Sequence, residues 1–214
     1  MSRPKVSNAI IRRLPRYRRY LGYLQIQGIK KVSSNELSEL IGYTASQIRQ
    51  DFNTFGEFGQ QGYGYDVKKL YNEINSILGL DREYRTVVVG CGNLGQAITN
   101  YTYYYKIGFN IVGLFDVNPD KIGQHVNDVE VKDFSELEKY VRDEDIDIGI
   151  ICVNRESAQI VADKLVAGGV SGIWNFAPID LDVPKEVALE SVHLSDSLHA
   201  LSFMIKSMNQ KEDK

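Results

Sequence analysis

The segment Gly90-Cys91-Gly92-Asn93-Leu94-Gly95 limits what this chain can fold into more than any other stretch, because few backbone paths accept G-x-G-x-x-G. It follows the β-branched run Val87-Val88-Val89 and opens a helical stretch at Leu94. A strand that passes through three glycines into a helix is the first half of a dinucleotide-binding βαβ unit. Gly90 is expected to make the tight turn, Gly92 to let a pyrophosphate reach the backbone, and Gly95 to bring helix and strand together. The helix N-terminus offers unpaired N–H groups and positive potential to phosphates. Asp116 stands 21 residues beyond Gly95, at the end of a second strand. That is close to the ~20 expected for a carboxylate that accepts from the adenosine ribose. Asp116-Val117-Asn118-Pro119 carries no arginine to meet a 2′-phosphate, so NAD(H) is expected rather than NADP(H).

The pattern continues with apolar runs at Ile111–Phe115, Ile146–Val153 and, more weakly, Gly172–Phe176. Helical periodicity fills residues 94–106, 134–142 and 156–167. This alternation predicts an α/β domain over residues 86–192, a doubly wound, Rossmann-like parallel sheet. The apolar segment Asn175-Phe176-Ala177-Pro178 would form a wall for the nicotinamide. A last helix, about 195–208, carries Leu198, Leu201, Phe203, Ile205 and Met208 around too much of its surface for a solvated tail. It should pack against something.

Charge divides the chain. Residues 1–85 hold 14 Lys/Arg against 8 Asp/Glu, and the remainder holds 11 against 20. A basic first part suits a polyanion, although the pI of about 5.7 hides it. Arg12, Arg13, Arg16, Arg18 and Arg19 cluster around Pro15, which predicts a helix beginning near Pro15 and ending at Gln27. Ser33 or Ser34 caps a second helix with Leu37, Leu40 and Ile41 on its apolar face. Gly42-Tyr43 breaks it, and Thr44 or Ala45 opens a third whose Ile48, Phe52 and Phe55 turn inward. Ser46, Gln50, Asn53 and Thr54 then lie outward, with Gln47 and Arg49 on the flanks. That is a helix-turn-helix, and Arg, Gln and Asn are the residues that read base edges. The glycine- and aromatic-rich run Gly56–Asp66, with Gln60, Gln61, Gly62 and Tyr63 at its tip, suits a β-hairpin wing. A helix over Val67–Leu78 closes a winged helix-turn-helix domain over residues 1–80, and the charged residues 81–85 read as a linker.

Some chemistry is argued against. Cys91 and Cys152 are 61 residues apart and His125, His193 and His199 are scattered, which leaves no disulfide scaffold, metal cluster or catalytic residue to name. No apolar run reaches the ~18 residues of a membrane span, and no secretory signal is evident, so a cytoplasmic location is expected. The rival reading is a small NAD-dependent oxidoreductase with a nucleic-acid-binding appendage. A third is a thiol sensor using the two cysteines.

Taken together, Arg13-Leu14-Pro15-Arg16-Tyr17, Gln47-Ile48-Arg49-Gln50-Asp51-Phe52, Phe55-Gly56-Glu57-Phe58-Gly59, Gly62-Tyr63-Gly64-Tyr65-Asp66, the Gly90–Gly95 loop and Asn175-Phe176-Ala177-Pro178 carry a resemblance. With them the chain resembles the Rex family of redox-sensing transcriptional repressors. The resemblance implies a homodimer whose winged helices hold double-stranded, palindromic operator DNA and whose Rossmann domains bind NADH or NAD+, with NADH releasing the DNA. It also implies that the helix over residues 193–214 is swapped between subunits. Arg12, Arg13, Arg16, Ser46, Gln47, Arg49, Gln50, Asn53, Gln60, Gln61, Gly62 and Tyr63 would face the DNA. Gln50, Gln60 and Gln61 stand where family members often carry basic residues, which implies weaker or less salt-dependent binding. Arg19 and Tyr101 match positions that link the two domains, and His193 replaces their acidic partner.

Overall fold

The computed structural model describes residues 7–55, 59–60, 64–101 and 103–212. The chain divides into two compact units, Met1–Arg82 and Glu83–Lys214.

The first unit opens with α1 (Asn8–Ile26), which starts earlier than expected and carries Pro15 in its middle. Proline removes one intrahelical hydrogen bond, but Leu14, Tyr17, Leu21 and Leu24 form one buried stripe across it, and that burial outweighs the lost bond. A two-residue strand β1 (Lys31–Val32) leads to α2 (Ser34–Ile41). Ser33 caps α2 in a full capping box with Glu36, and left-handed Gly42 ends it. Leu37 and Ile41 are buried, whereas Leu40 is exposed, so the apolar face is narrower than expected. Thr44 caps α3 (Ala45–Asn53), where Ile48 and Phe52 are buried and Phe55, past the helix end, packs beside them. Strands β2 (Gly59–Gln60) and β3 (Gly64–Asp66) pair antiparallel, and β1 adds to β3. Gly64 has φ +69°, and a Cβ there would lie 2.8 Å from the Val32 carbonyl oxygen, so glycine is required at the base of the wing. The tip residues Gln61, Gly62 and Tyr63 lie outside the described residues. Helix α4 (Val67–Ile77) closes the unit against α1.

The second unit starts with β4 (Tyr84–Val89). Tyr84 and Arg85 are already paired with Phe109 and Asn110, so residues 81–85 are not a free linker. Helix α5 (Asn93–Asn100) is separated from the short α6 (Tyr103–Lys106), where one helix over 94–106 was expected. The break falls at Tyr101, in a tyrosine- and threonine-rich stretch of low helix propensity. Then come β5 (Phe109–Asp116), β6 (His125–Val126), β7 (Val129–Asp133), α7 (Leu137–Asp143), β8 (Ile148–Ile151), α8 (Arg155–Gly168), β9 (Gly172–Asn175), β10 (Ala188–Ser191) and α9 (Leu194–Glu212). Among the described residues the sheet order is β10-β9-β8-β4-β5-β7-β6, all parallel except β6. Chain order runs outward from β4 through β5, then returns to β8 on its other side. The topological switch point therefore sits at the carboxyl end of β4, where the glycine loop is. One face of the sheet packs against α7 and α8 through Val87, Phe115, Leu137 and Leu165. The other carries Val88, Ile98, Leu114 and Ile150. Helix α9 leaves Leu194, Leu198, Leu201, Phe203, Met204, Ile205 and Met208 exposed in the single chain. No helix among the described residues is long and apolar enough to cross a membrane.

Candidate nucleotide and nucleic-acid sites

The glycine loop is built as its spacing predicts. Gly90 has φ +96°, and a Cβ on it would lie 2.5 Å from the Cys152 carbonyl oxygen, in a backbone region that L side chains avoid. A Cβ on Gly95 would lie 2.0 Å from the Gly90 oxygen, so the third glycine is what lets α5 close onto β4. Gly92 differs, since a Cβ there would meet nothing within 4 Å. Space is open above Gly92, and it caps α5 without a side-chain hydrogen bond. A bare, uncapped helix start beside open space fits a pyrophosphate. Asn93 is exposed beside it, and Leu94 is half-buried.

Asp116 ends β5 beside this loop and is buried, with a relative exposure of 8%. Its Oδ2 accepts the Cys91 N–H at 2.8 Å and Lys121 Nζ at 3.0 Å, and its Oδ1 accepts the Asn118 N–H at 2.9 Å. Burial alone would push this carboxyl up, but those three donors hold it below the ordinary aspartate value, so it is ionised. Val117, next to it, is 75% exposed, a surface suited to an adenine face. Lys121 escaped the sequence reading; a cation five residues past Asp116 was the available signal.

The expected nicotinamide wall is reached only in part. Asn175 is fully buried, its Nδ2 donating to the Ile179 carbonyl at 2.9 Å and its Oδ1 accepting the Ala177 N–H at 2.9 Å. It braces its own loop, and Ala177 is buried too, which leaves Phe176 and Pro178 as the residues with surface to offer. Phe176 packs on Trp174 at 4.5 Å between ring centroids. An apolar groove of about 460 Å³, lined by Tyr104, Ile107, Phe109, Ile150, Trp174 and Leu189 among others, lies on the sheet face rather than at the glycine loop. That groove offers no phosphate-binding feature, whereas the start of α5 is open and uncapped. Burial pushes the Cys91 thiol up to about 11 and the Cys152 thiol up to about 12. Neither is a reactive thiolate near neutral pH, which argues against the thiol-sensor reading.

In the first unit, Ser46, Arg49, Gln50, Asn53 and Thr54 line one shallow recess along α3. Arg49 is oriented by Ser34, whose Oγ accepts from its Nη1 at 2.9 Å. Arg12 and Arg16 are exposed on α1, with Arg16 over the Tyr43 ring at 5.1 Å. Two residues expected at the DNA hold a partner within the chain. Arg13 is bidentate on Asp51, at 2.6 and 2.7 Å, and Gln47 Nε2 donates to the same carboxylate at 2.9 Å. Asp51 sits fully buried on α3 and also accepts from Tyr17 Oη at 2.7 Å. A helix carboxylate with a 38-residue reach to its partner gives no local sequence signal. Gln60 lies in β2. Arg19 stacks near Tyr20 at 5.8 Å, Tyr101 is exposed beside Tyr104, and His193 Nε2 lies 3.8 Å from Asp180.

Comparison with known proteins agrees with this division. Residues 5–53 match the family described as putative DNA-binding protein N-terminus, and residues 81–179 match the CoA binding domain family. The redox-sensing transcriptional repressor Rex of Clostridium perfringens is 55% identical over 96% of this chain and 97% of its own length. That of Thermoanaerobacter pseudethanolicus is 57% identical over 94% of this chain and 90% of its own. The crystal structure of RSP in complex with beta-NAD+ and operator DNA superposes with a TM-score of 0.91 at 54% identity, covering 97% of this chain and 96% of RSP. The structure of RSP with beta-NADH gives 0.90 at 51% identity and covers 98% of both chains. Identity of this order along nearly the whole chain, on a fold that joins a winged helix to a glycine-loop sheet, places the protein in the Rex family of redox-sensing transcriptional repressors.

Proposed function

We propose that this chain is an NADH/NAD+-sensing repressor that holds palindromic operator DNA as a homodimer and releases it when NADH binds. The carrying observation is that one unit has an open, uncapped glycine loop and the other a recess along α3 lined by Ser46, Arg49, Gln50 and Asn53. RSP, its relative, is known in complex with NAD+ and operator DNA and with NADH. The curated relatives are repressors, and the chain acts as a repressor and not as an enzyme.

The N–H groups at the start of α5 would hold the pyrophosphate against Gly92, Asp116 would accept from the adenosine ribose, and Val117 would lie along the adenine. The dinucleotide supplies two redox states of one ring, cationic when oxidised and neutral when reduced. Phe176 and Pro178 offer that ring an apolar neighbour without a carboxylate, which favours the neutral form because an unpaired buried charge is costly. On the DNA side, Arg49, Gln50, Asn53 and Ser46 read base edges, while Arg12 and Arg16 approach phosphates. Gln60, Gln61, Gly62 and Tyr63 are assigned to the DNA side as well. Arg13 and Gln47 act at one remove, through Asp51. Helix α9, with its exposed apolar residues, is exchanged with a second copy, and the open groove on the sheet is surface that such a copy would bury. Arg19, Tyr101 and His193 are assigned to the coupling between units. Acting on DNA, the protein belongs in the cytoplasm.

Linkage sets the test. NADH can weaken operator binding only by the factor by which operator weakens NADH binding. Fluorescence anisotropy on a labelled palindromic duplex, titrated with NADH and with NAD+, should show release by NADH at lower concentration. Equal NADH affinity with and without operator would overturn the coupling.

A further inference from the structure

We propose that Lys121 is a ligand-contacting member of the nucleotide seat, donating to the second ribose hydroxyl and setting how strongly a 2′-phosphate is rejected. This rests on the dinucleotide reading above and deepens it.

The turn Asn118-Pro119-Asp120 folds the chain back on β5. Asn118 Oδ1 accepts the Asp120 N–H at 2.9 Å, and the Asn118 carbonyl accepts the Lys121 N–H at 3.0 Å. From this turn Lys121 Nζ reaches to 3.0 Å from Asp116 Oδ2. A carboxylate offers about four lone-pair positions. On Asp116, Cys91 N–H and Lys121 Nζ occupy both positions of Oδ2, and Asn118 N–H occupies one of Oδ1. One acceptor position is left. The edge of a ribose presents two vicinal hydroxyls, so Asp116 accepts one of them and cannot accept the other while its own chain holds these bonds.

Lys121 supplies what is missing. An ammonium has three N–H donors, and one is directed at Asp116, which leaves two for a ligand oxygen. Its side chain is 32% exposed against 9% for Asp116, so it stands on the open side of the carboxylate. The second hydroxyl accepts from Lys121 where it cannot donate to Asp116. The same cation softens the charge that a 2′-phosphate would meet, because Asp116 by itself repels it. Discrimination against NADP(H) is then a balance between these two side chains rather than the work of the carboxylate alone.

Isothermal titration of the unaltered protein, K121M and K121R with NADH and with NADPH decides the matter. K121M should bind NADH about tenfold more weakly, the weight of one hydrogen bond involving a charged group. Its affinity for NADPH should fall by a clearly larger factor, so that the preference for NADH widens. K121R should keep the preference of the unaltered protein. An equal loss for both cofactors in K121M, or no loss for either, would reduce Lys121 to a brace for Asp116 and overturn the assignment. Failure of the unaltered protein to bind NADH would overturn the dinucleotide reading itself, which is a separate and distinguishable outcome.

Discussion

Asp51 in the first unit and Asp116 in the second are both buried carboxylates near the C-terminal end of an element, and they differ by one hydrogen bond. Asp51 accepts four, two from Arg13 and one each from Tyr17 and Gln47, all from its own chain. Asp116 accepts three. A carboxylate whose lone pairs are all taken is a strut, and it ties α3 to α1 so that the face of α3 points one way. One with a position left over is fit to receive a ligand. Residue type and burial do not separate the two cases; the count of donors does.

The largest way to break this comparison is Asp51→Ala. It leaves Arg13 and the Tyr17 hydroxyl without their buried partner and should cost about 3–5 kcal/mol, the range for removing one side of a buried pair. Denaturant unfolding followed in the first unit would measure it, and a loss under about 1 kcal/mol would mean that Arg13 and Tyr17 are resolvated and that the strut is idle. Gly95→Ala comes next. Overpacking against the Gly90 oxygen should cost about 2–3 kcal/mol and abolish NADH binding, while the first unit's unfolding is unchanged. Arg49→Ala should remove about 1–3 kcal/mol of operator discrimination, read by anisotropy on matched and mismatched duplexes. An equal loss on random DNA would make Arg49 a phosphate contact. Ser34→Ala, which frees Arg49 without touching DNA-facing chemistry, should cost less than about 1 kcal/mol of the same discrimination.

Acid provides a sharper form of the test. Burial would push Asp51 up, but the hydrogen bonds from Arg13, Tyr17 and Gln47 overcome it and hold the group below its ordinary value. For a carboxyl lowered in the folded state, the stabilisation is fully present above the unfolded value of about 4. It disappears as pH falls through the lowered value. The first unit should therefore lose stability below about pH 4, and Asp51→Asn should flatten that dependence. An unchanged acid profile in the variant would show that other carboxylates control it.

Much of the site was readable because its signals are local. Gly90, Gly92 and Gly95 act within six residues on a strand that their neighbours already specify. Ser33 with Glu36, Thr44 and Gly42 mark helix ends by bonds that reach three or four positions. Val87–Val89 and Ile111–Phe115 are recognisable strands because burial on both faces demands continuous apolar residues. The edges of the sheet were not readable. Ala188-Leu189-Glu190-Ser191 has little strand propensity and becomes β10 only because β9 offers it a parallel edge. Val129–Asp133 likewise becomes β7 through its pairing with β5. Pro15 misled for a related reason, since a helix start was inferred from one residue and the buried stripe of α1 crosses it.

The sequence by itself determined the elements whose causes lie within a few positions: the glycine turn, the helix caps, the central strands, and the separation of a basic from an acidic part. Tertiary structure alone decided which polar side chains are free to act. Arg13, Gln47 and Asn175 read as contact residues and bond within their own chain, while Lys121, which no local motif singles out, pairs with the buried Asp116. Hydrogen-bonding capacity is finite, and whether a group has any left for a ligand depends on partners that the folded chain brings from far along the sequence or around a turn.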